Sequence, residues 1–192
     1  MIIKRDQILA LSQIVFGVNI LICILLIPRY FLDLDQGGVS NYGTEPFTNL
    51  LFTIGFLSAA LGALYATTYY RLSRSLKIGV TALSLSYLLV MLSTYAYKDN
   101  DSLESWHHLA ALTLINTMII NLILLRKQLL RSFEMKLACF MFVVGLSLGI
   151  MTGKGIATQL LSSQLLCGIS FGYILCRTVT LNKSVRREQI GS

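Results

Sequence analysis

The chain has 192 residues, is 55% hydrophobic and only 13% charged, has a mean hydropathy of +0.68 and carries a net charge of +7. That composition excludes a soluble globular domain. It also argues against a nucleic-acid partner, because the basic residues sit at the ends of apolar stretches, where anionic lipid headgroups attract them.

A bilayer core needs about 20 apolar residues per helix. Backbone groups in hydrocarbon must be satisfied within their own segment, so such stretches become helices. Six are expected, at about 8–28, 49–69, 78–97, 108–125, 136–153 and 156–176. The alternation of a membrane β-barrel strand is missing. The expected fold is therefore all-α: one domain over residues 1–192, built as a single six-helix transmembrane bundle.

The first stretch follows Lys4 and Arg5 as a signal peptide would. Its apolar run is longer than the roughly 7–15 residues of a signal h-region, and no small-residue cleavage site follows. It is read as a retained span.

Charge sets the expected orientation. Thirteen of the sixteen Lys and Arg residues fall on one side: Lys4, Arg5, Arg71, Arg74, Lys77, Arg126, Lys127, Arg131, Lys136, Arg177, Lys183, Arg186 and Arg187. Arg29, Lys98 and Lys154 fall on the other. The positive-inside rule places both termini in the cytoplasm and the loops 29–48 and 98–107 outside, in a plasma or bacterial inner membrane.

The first outer loop, RYFLDLDQGGVSNYGTEPFT, is rich in turn formers: Gly37, Gly38, Asn41, Gly43 and Pro46. Its rings Tyr30, Phe31, Tyr42 and Phe47 are expected to pack on the bundle or sit at the interface. The loop should be an ordered cap. The second outer loop leads through Asp101, Ser102 and Glu104, residues suited to a helix start, to Trp106, His107 and His108.

Adjacent helical residues point about 100° apart. His108, Leu112 and Asn116 share one face, whereas His107 lines up with Ala111. An amide within a span needs a protein partner, so His108 is expected to face inward with Asn116, and His107 outward. A histidine with Asp33, Asp35 or Asp101 would offer metal ligands, but no metal-site spacing occurs. Ser40 with a histidine base would suit a hydrolase, yet GGVSNYG lacks a nucleophile elbow. The plainer reading has a histidine pinning the glycine-rich loop.

Within the spans lie Gln13, Asn19, Asn116, Asn121, Gln159 and Gln164, with no charged residue at depth. Intramembrane charges mark ion paths, so these amides are expected to bond between helices; a neutral solute path is the alternative. The fifth span carries Gly145, Gly149 and Gly153, and the sixth Gly168 and Gly172. Small faces let helices approach closely. The two glycine faces are expected to meet each other, with a homo-oligomer seam as the lesser option. Cys23, Cys139, Cys167 and Cys176 lie in or beside spans and are expected to be packing residues.

Ser40-Asn41-Tyr42-Gly43, then Asn49 at the second span, then His107/His108 followed by Ala110 and Ala111, resembles the six-span Frag/DRAM/Sfk-like membrane proteins and a related bacterial family of uncharacterised function. Members typically show Ser-Asp-x-Gly in the first outer loop and a histidine opening the fourth span. Here Asn41 takes the place of the acid, which puts an acid-dependent role there in doubt. The resemblance implies a membrane protein without agreed enzymatic activity, with relatives linked to lipid-anchor processing, autophagy and lipid organisation. It implies a shared outer site of Ser40, Asn41, Gly43, Asn49 and one of His107/His108.

The sequence thus points to a binding or accessory membrane protein. Its outer pocket would take a lipid headgroup or small ligand, lined by Ser40, Asn41, Gly43, Asn49, His107, His108 and Asn116. No catalytic residue, cofactor or metal is assigned. Membrane lipids are the expected partners; a transporter or an interfacial hydrolase is the alternative.

Overall fold

The computed structural model describes residues 7–32, 38–70, 72–99, 103–129, 132–156 and 159–190. These form eight helices: α1 (Ile8–Leu26), α2 (Arg29–Leu32), α3 (Asn41–Thr44), α4 (Asn49–Tyr69), α5 (Arg74–Asp99), α6 (Glu104–Leu129), α7 (Phe133–Gly153) and α8 (Leu160–Ile190). Six of them are long and apolar enough to cross a membrane.

The ends of the helices follow local chemistry. Pro28 stops α1, because the residue before a proline is driven from helical geometry; Ile27 is correspondingly non-helical and bonds back to the Cys23 carbonyl. At α7, the Ser132 hydroxyl accepts from the Met135 N–H, and Glu134 lies in the first turn, both favourable at a positive helix end. Helices α5, α6 and α7 begin three or four residues before the expected spans, because their polar flanks continue the helix beyond the apolar run. Helix α8 starts at Leu160 rather than 156. The turn after α7 needs Gly155 at φ 69°, a left-handed conformation that side chains resist.

Sequential neighbours pack as α1 on α4, α4 on α5, α5 on α6 and α7 on α8, while α8 touches both α1 and α6. Half of the α4 span is buried inside the protein, against 22% for α1 and for α7. Helix α4 is thus central, and α1 and α7 face outward more.

At the centre, Phe16 of α1 meets Phe56 of α4 edge-on at 5.2 Å, and both reach Tyr87 of α5 within about 6 Å. Offset and edge-on ring pairs add to what burial alone supplies. Around them the helices close through small residues and hydroxyl bonds to backbone. Ser84 donates to the Ala60 carbonyl at 2.8 Å, Ser58 to the Ser12 carbonyl at 3.1 Å and Ser163 to the Gly145 carbonyl at 2.7 Å.

The two glycine faces do not meet. Gly145 and Gly149 take Ser163, Leu166 and Cys167 of α8, whereas Gly168 and Gly172 turn towards Phe16 and Gln13 of α1. The sixth span has two small faces roughly opposite each other, Ser163/Cys167 and Gly168/Gly172, and the first fits α7. Gly153 meets nothing within 4 Å.

None of the four cysteines is in a disulfide, and Cys23 and Cys167 lie inside the core, as packing residues would be.

Candidate functional site

The end of the bundle that carries residues 29–48 is closed by folded chain. Just beyond α1, Arg29 pairs with the Glu45 carboxylate. Tyr30 donates to the same carboxylate at 2.5 Å, and the Arg29 guanidinium lies 4.8 Å from the Tyr30 ring. Burial, then the bond to Glu45, pushes the Tyr30 phenol above its ordinary range. The Arg29 side chain is nonetheless largely exposed.

Residues 38–48 then fold over α4 and α5. The Val39 N–H donates to Gln164 Oε1 of α8 at 2.6 Å. Gly38 lies against the same amide; a Cβ there would come 2.5 Å from it. Gly43 is wedged between α4 and α5, where a Cβ would lie 2.7 Å from Thr94 and 2.8 Å from Phe52. Tyr42 is fully buried, stacks edge-on with Tyr30 at 5.5 Å, and has a hydroxyl without a hydrogen-bond partner. Burial, then the nearby Cys23 and Tyr30, pushes its phenol up to about 12. The Thr48 hydroxyl closes the segment by donating to the Tyr42 carbonyl at 2.7 Å.

The expected ordered cap is therefore present from 38 to 48, with Tyr30 and Tyr42 packed; residues 33–37, with Asp33 and Asp35, lie outside the described residues. Phe47 is exposed instead, in the manner of an interfacial ring.

The expected site residues separate. Ser40 and Asn41 are half-buried at the start of α3. Gly43 is a steric wedge facing inward. Asn49 opens α4, where its carbonyl accepts from Thr53 at 2.6 Å and from the Tyr95 hydroxyl at 3.2 Å.

The histidine order is reversed. His107 is the buried one, at 8% exposure, with Nδ1 3.1 Å from Ser93 Oγ of α5. His108 is exposed beside Glu104 at 3.3 Å. Asn116 is exposed as well. The amide that α6 turns inward is Asn121, whose Nδ2 donates to the Gly79 carbonyl at 2.9 Å and to the Thr117 carbonyl at 2.7 Å. Gly79 leaves room for that amide. His107, Ala110, Met118, Asn121, Leu122 and Leu125 are all buried along α6, so the whole buried stripe selects His107 and excludes Asn116.

His107 and the cap meet α5 at adjacent residues, Ser93 and Thr94. These point about 100° apart, so His107 and the cap rest on different faces of α5. The cap is pinned by Gln164, Gly43 and the Arg29–Tyr30–Glu45 cluster. Those anchors were readable only as an amide in a span, a turn former and a belt residue.

No group of three or more His, Cys, Asp or Glu residues that could hold a metal occurs among the described residues; Asp101 lies outside them.

Six apolar helices closed at one end by a folded polar segment define a multi-pass membrane protein. No family model, no curated protein and no solved structure matches the chain.

Proposed function

We propose that this is a binding or accessory protein of a plasma or bacterial inner membrane, whose capped end takes a small polar ligand or a lipid headgroup. The asymmetry of thirteen basic residues against three supports termini in the cytoplasm and the cap outside. The observation that carries the binding reading is the cap itself. Residues 38–48 are held by side chains of α4, α5 and α8, a fixed polar surface where a bare connection would need none of these contacts. Ser40 and Asn41 are half-exposed on it, and Arg29 offers an exposed cation at its rim. His108 with Glu104 adds a polar pair at the same end of the bundle. Kinship with the Frag/DRAM/Sfk-like proteins would agree with this reading.

A solute path finds less support. Asn121 donates to the Gly79 and Thr117 carbonyls, and Asn19 donates to the Val15 carbonyl of its own helix.

Native mass spectrometry of the full chain in mild detergent tests the proposal. Wild type should retain a small molecule or lipid that both Arg29→Ala and a Ser40→Ala/Asn41→Ala pair lose. A wild type that retains nothing, or variants that retain the same occupant, would refute it.

A further inference from the structure

Helices α5 and α6 share a polar seam. Gly79, Ser86 and Ser93 follow one another at seven-residue intervals along α5, and each meets a polar side chain of α6. Asn121 donates to the Gly79 carbonyl at 2.9 Å, Thr117 Oγ1 lies 3.3 Å from Ser86 Oγ, and His107 Nδ1 lies 3.1 Å from Ser93 Oγ. The two deeper contacts join neutral amide and hydroxyl groups, which hold helices together in hydrocarbon. The contact nearest the cap joins a hydroxyl to an imidazole, a group able to take its proton.

Depth gives that contact its chemical surroundings. Ser93 stands three residues before its span ends at Ala96, and His107 three residues after its span begins at Glu104. Both therefore lie about 4–5 Å inside the boundary, at 1.5 Å per residue. Trp106, exposed beside His107, is a ring of the kind that seats at this level. The ester groups of glycerolipids occupy the same layer, between headgroup and acyl chain, and water reaches it.

The imidazole is buried, while Ser93 is only half-buried. The residues one turn away on the same two faces are small: Ala96 on α5 is exposed, and Ala111 on α6 is half-buried. Ser93 Oγ also lies 3.0 Å from the Val90 carbonyl. Its single hydrogen serves either that carbonyl or Nδ1, so rotation about one bond aims it at the imidazole. In that arrangement Nδ1 is the acceptor and the ring carries its own hydrogen on Nε2. The two deeper contacts of the seam fix α5 against α6 without help from this pair, so its geometry is set by rigid helices.

We infer that Ser93 and His107 are the nucleophile and base of an interfacial esterase whose substrates are carboxylic esters of membrane lipids. Ser93 Oγ attacks the ester carbonyl carbon and its proton passes to His107 Nδ1. The bond from that carbon to the alcohol oxygen breaks, and the imidazolium returns the proton to the departing alcohol. The acyl group is left on Ser93 Oγ. Water then attacks the acyl carbon while His107 takes its proton; the bond to Oγ breaks, Ser93 regains a proton and the carboxylic acid leaves. A serine nucleophile thus comes from α5, not from Ser40 of the cap, and the activity stands whether or not the cap holds a ligand.

The test treats the full chain in dioleoylphosphatidylcholine nanodiscs with an alkyl fluorophosphonate, which phosphonylates an activated serine and releases fluoride. Wild type should be labelled once, and peptide mass mapping should place the adduct on Ser93. Ser93→Ala should abolish the label. His107→Gln, which keeps a hydrogen-bonding side chain beside Ser93, should slow labelling at least about 100-fold, the smaller end of what a positioned base contributes. Its thermal midpoint should stay near that of wild type, because Asn121 and Thr117 still hold the seam. Ser147→Ala, an exposed serine of α7, should label as wild type does. The same order should appear in hydrolysis of 4-methylumbelliferyl butyrate. A wild type that takes no label, an adduct on another serine, or a folded His107→Gln that labels at the wild-type rate overturns the inference.

Discussion

The segment 38–48 and the turn between α7 and α8 lie at the same end of the bundle, and both carry glycines. In the first, Gly43 is glycine because Thr94 and Phe52 leave no space for a Cβ, and Tyr42 beside it is fully buried. In the second, Gly153 and Gly155 meet nothing within 4 Å, and only Gly155 has a demanding backbone, at φ 69°. One connection is part of the core, and the other is a solvent-side reversal. The same residue type is required by packing in one place and by dihedral angle in the other. The two requirements differ in size, because a steric overlap moves neighbouring helices while a strained dihedral is local.

Thermal unfolding in detergent, followed by a thiol-reactive fluorophore, measures this difference, because Cys23 and Cys167 are buried until the bundle opens. The largest loss is expected from Tyr42→Ala, which empties a fully buried ring site. Substitutions of that kind cost on the order of 3–5 kcal/mol. A midpoint near that of wild type would show the cap to be an ornament on the bundle.

Gly43→Ala should follow, at about 1–3 kcal/mol, the range for overfilling a packed site. Gln164→Ala removes the acceptor of the Val39 N–H and should cost about 1–3 kcal/mol; the double variant with Gly43→Ala should be less than additive if both act by releasing the cap. At the other connection, Gly155→Ala should cost only about 1–2 kcal/mol, from the left-handed backbone. Gly153→Ala should be neutral or slightly stabilising, since alanine is the better helix residue there. If Gly153→Ala and Gly43→Ala behaved alike, the contrast between the two regions would fail.

The smallest and most specific effect is expected from Tyr42→Phe. The hydroxyl has no partner, so its removal should leave stability at neutral pH close to unchanged or slightly higher. It should change the alkaline limb. The folded phenol titrates at about 12 and the unfolded one near 10.0. Stabilisation of the neutral form in the fold is complete below pH 10. It is lost as pH rises towards 12, because the unfolded chain releases its proton first. Wild type should weaken over that window, and Tyr42→Phe should weaken less. Equal alkaline slopes would mean that Tyr42 is not the group responsible.

Much of the candidate site was legible as composition but not as contact. Turn formers and rings between 29 and 48 announced an ordered cap, because a free linker would not carry four aromatics. Which side chains hold it was hidden, since Gln164 is more than a hundred positions away and reads only as an amide in a span. The histidine order went wrong for a definable reason. The pairing of His108 with Asn116 used one helical face and one amide, whereas the buried stripe from His107 through Ala110 and Met118 to Asn121 uses the whole of α6.

By itself the sequence determined the six spans, with α4 falling at 49–69 as expected, because hydrocarbon leaves an apolar backbone no alternative to the helix. It determined the side on which the basic residues gather, since charge is a property of position along the chain. Only the tertiary structure decided which faces meet. Lipid and protein interior are equally apolar, so hydropathy cannot tell the inward face of a span from the outward one. Steric fit makes that choice: Gly145 and Gly149 close on Ser163 and Cys167, Asn121 takes the space at Gly79, and Gly168 and Gly172 are left along the open side of α8.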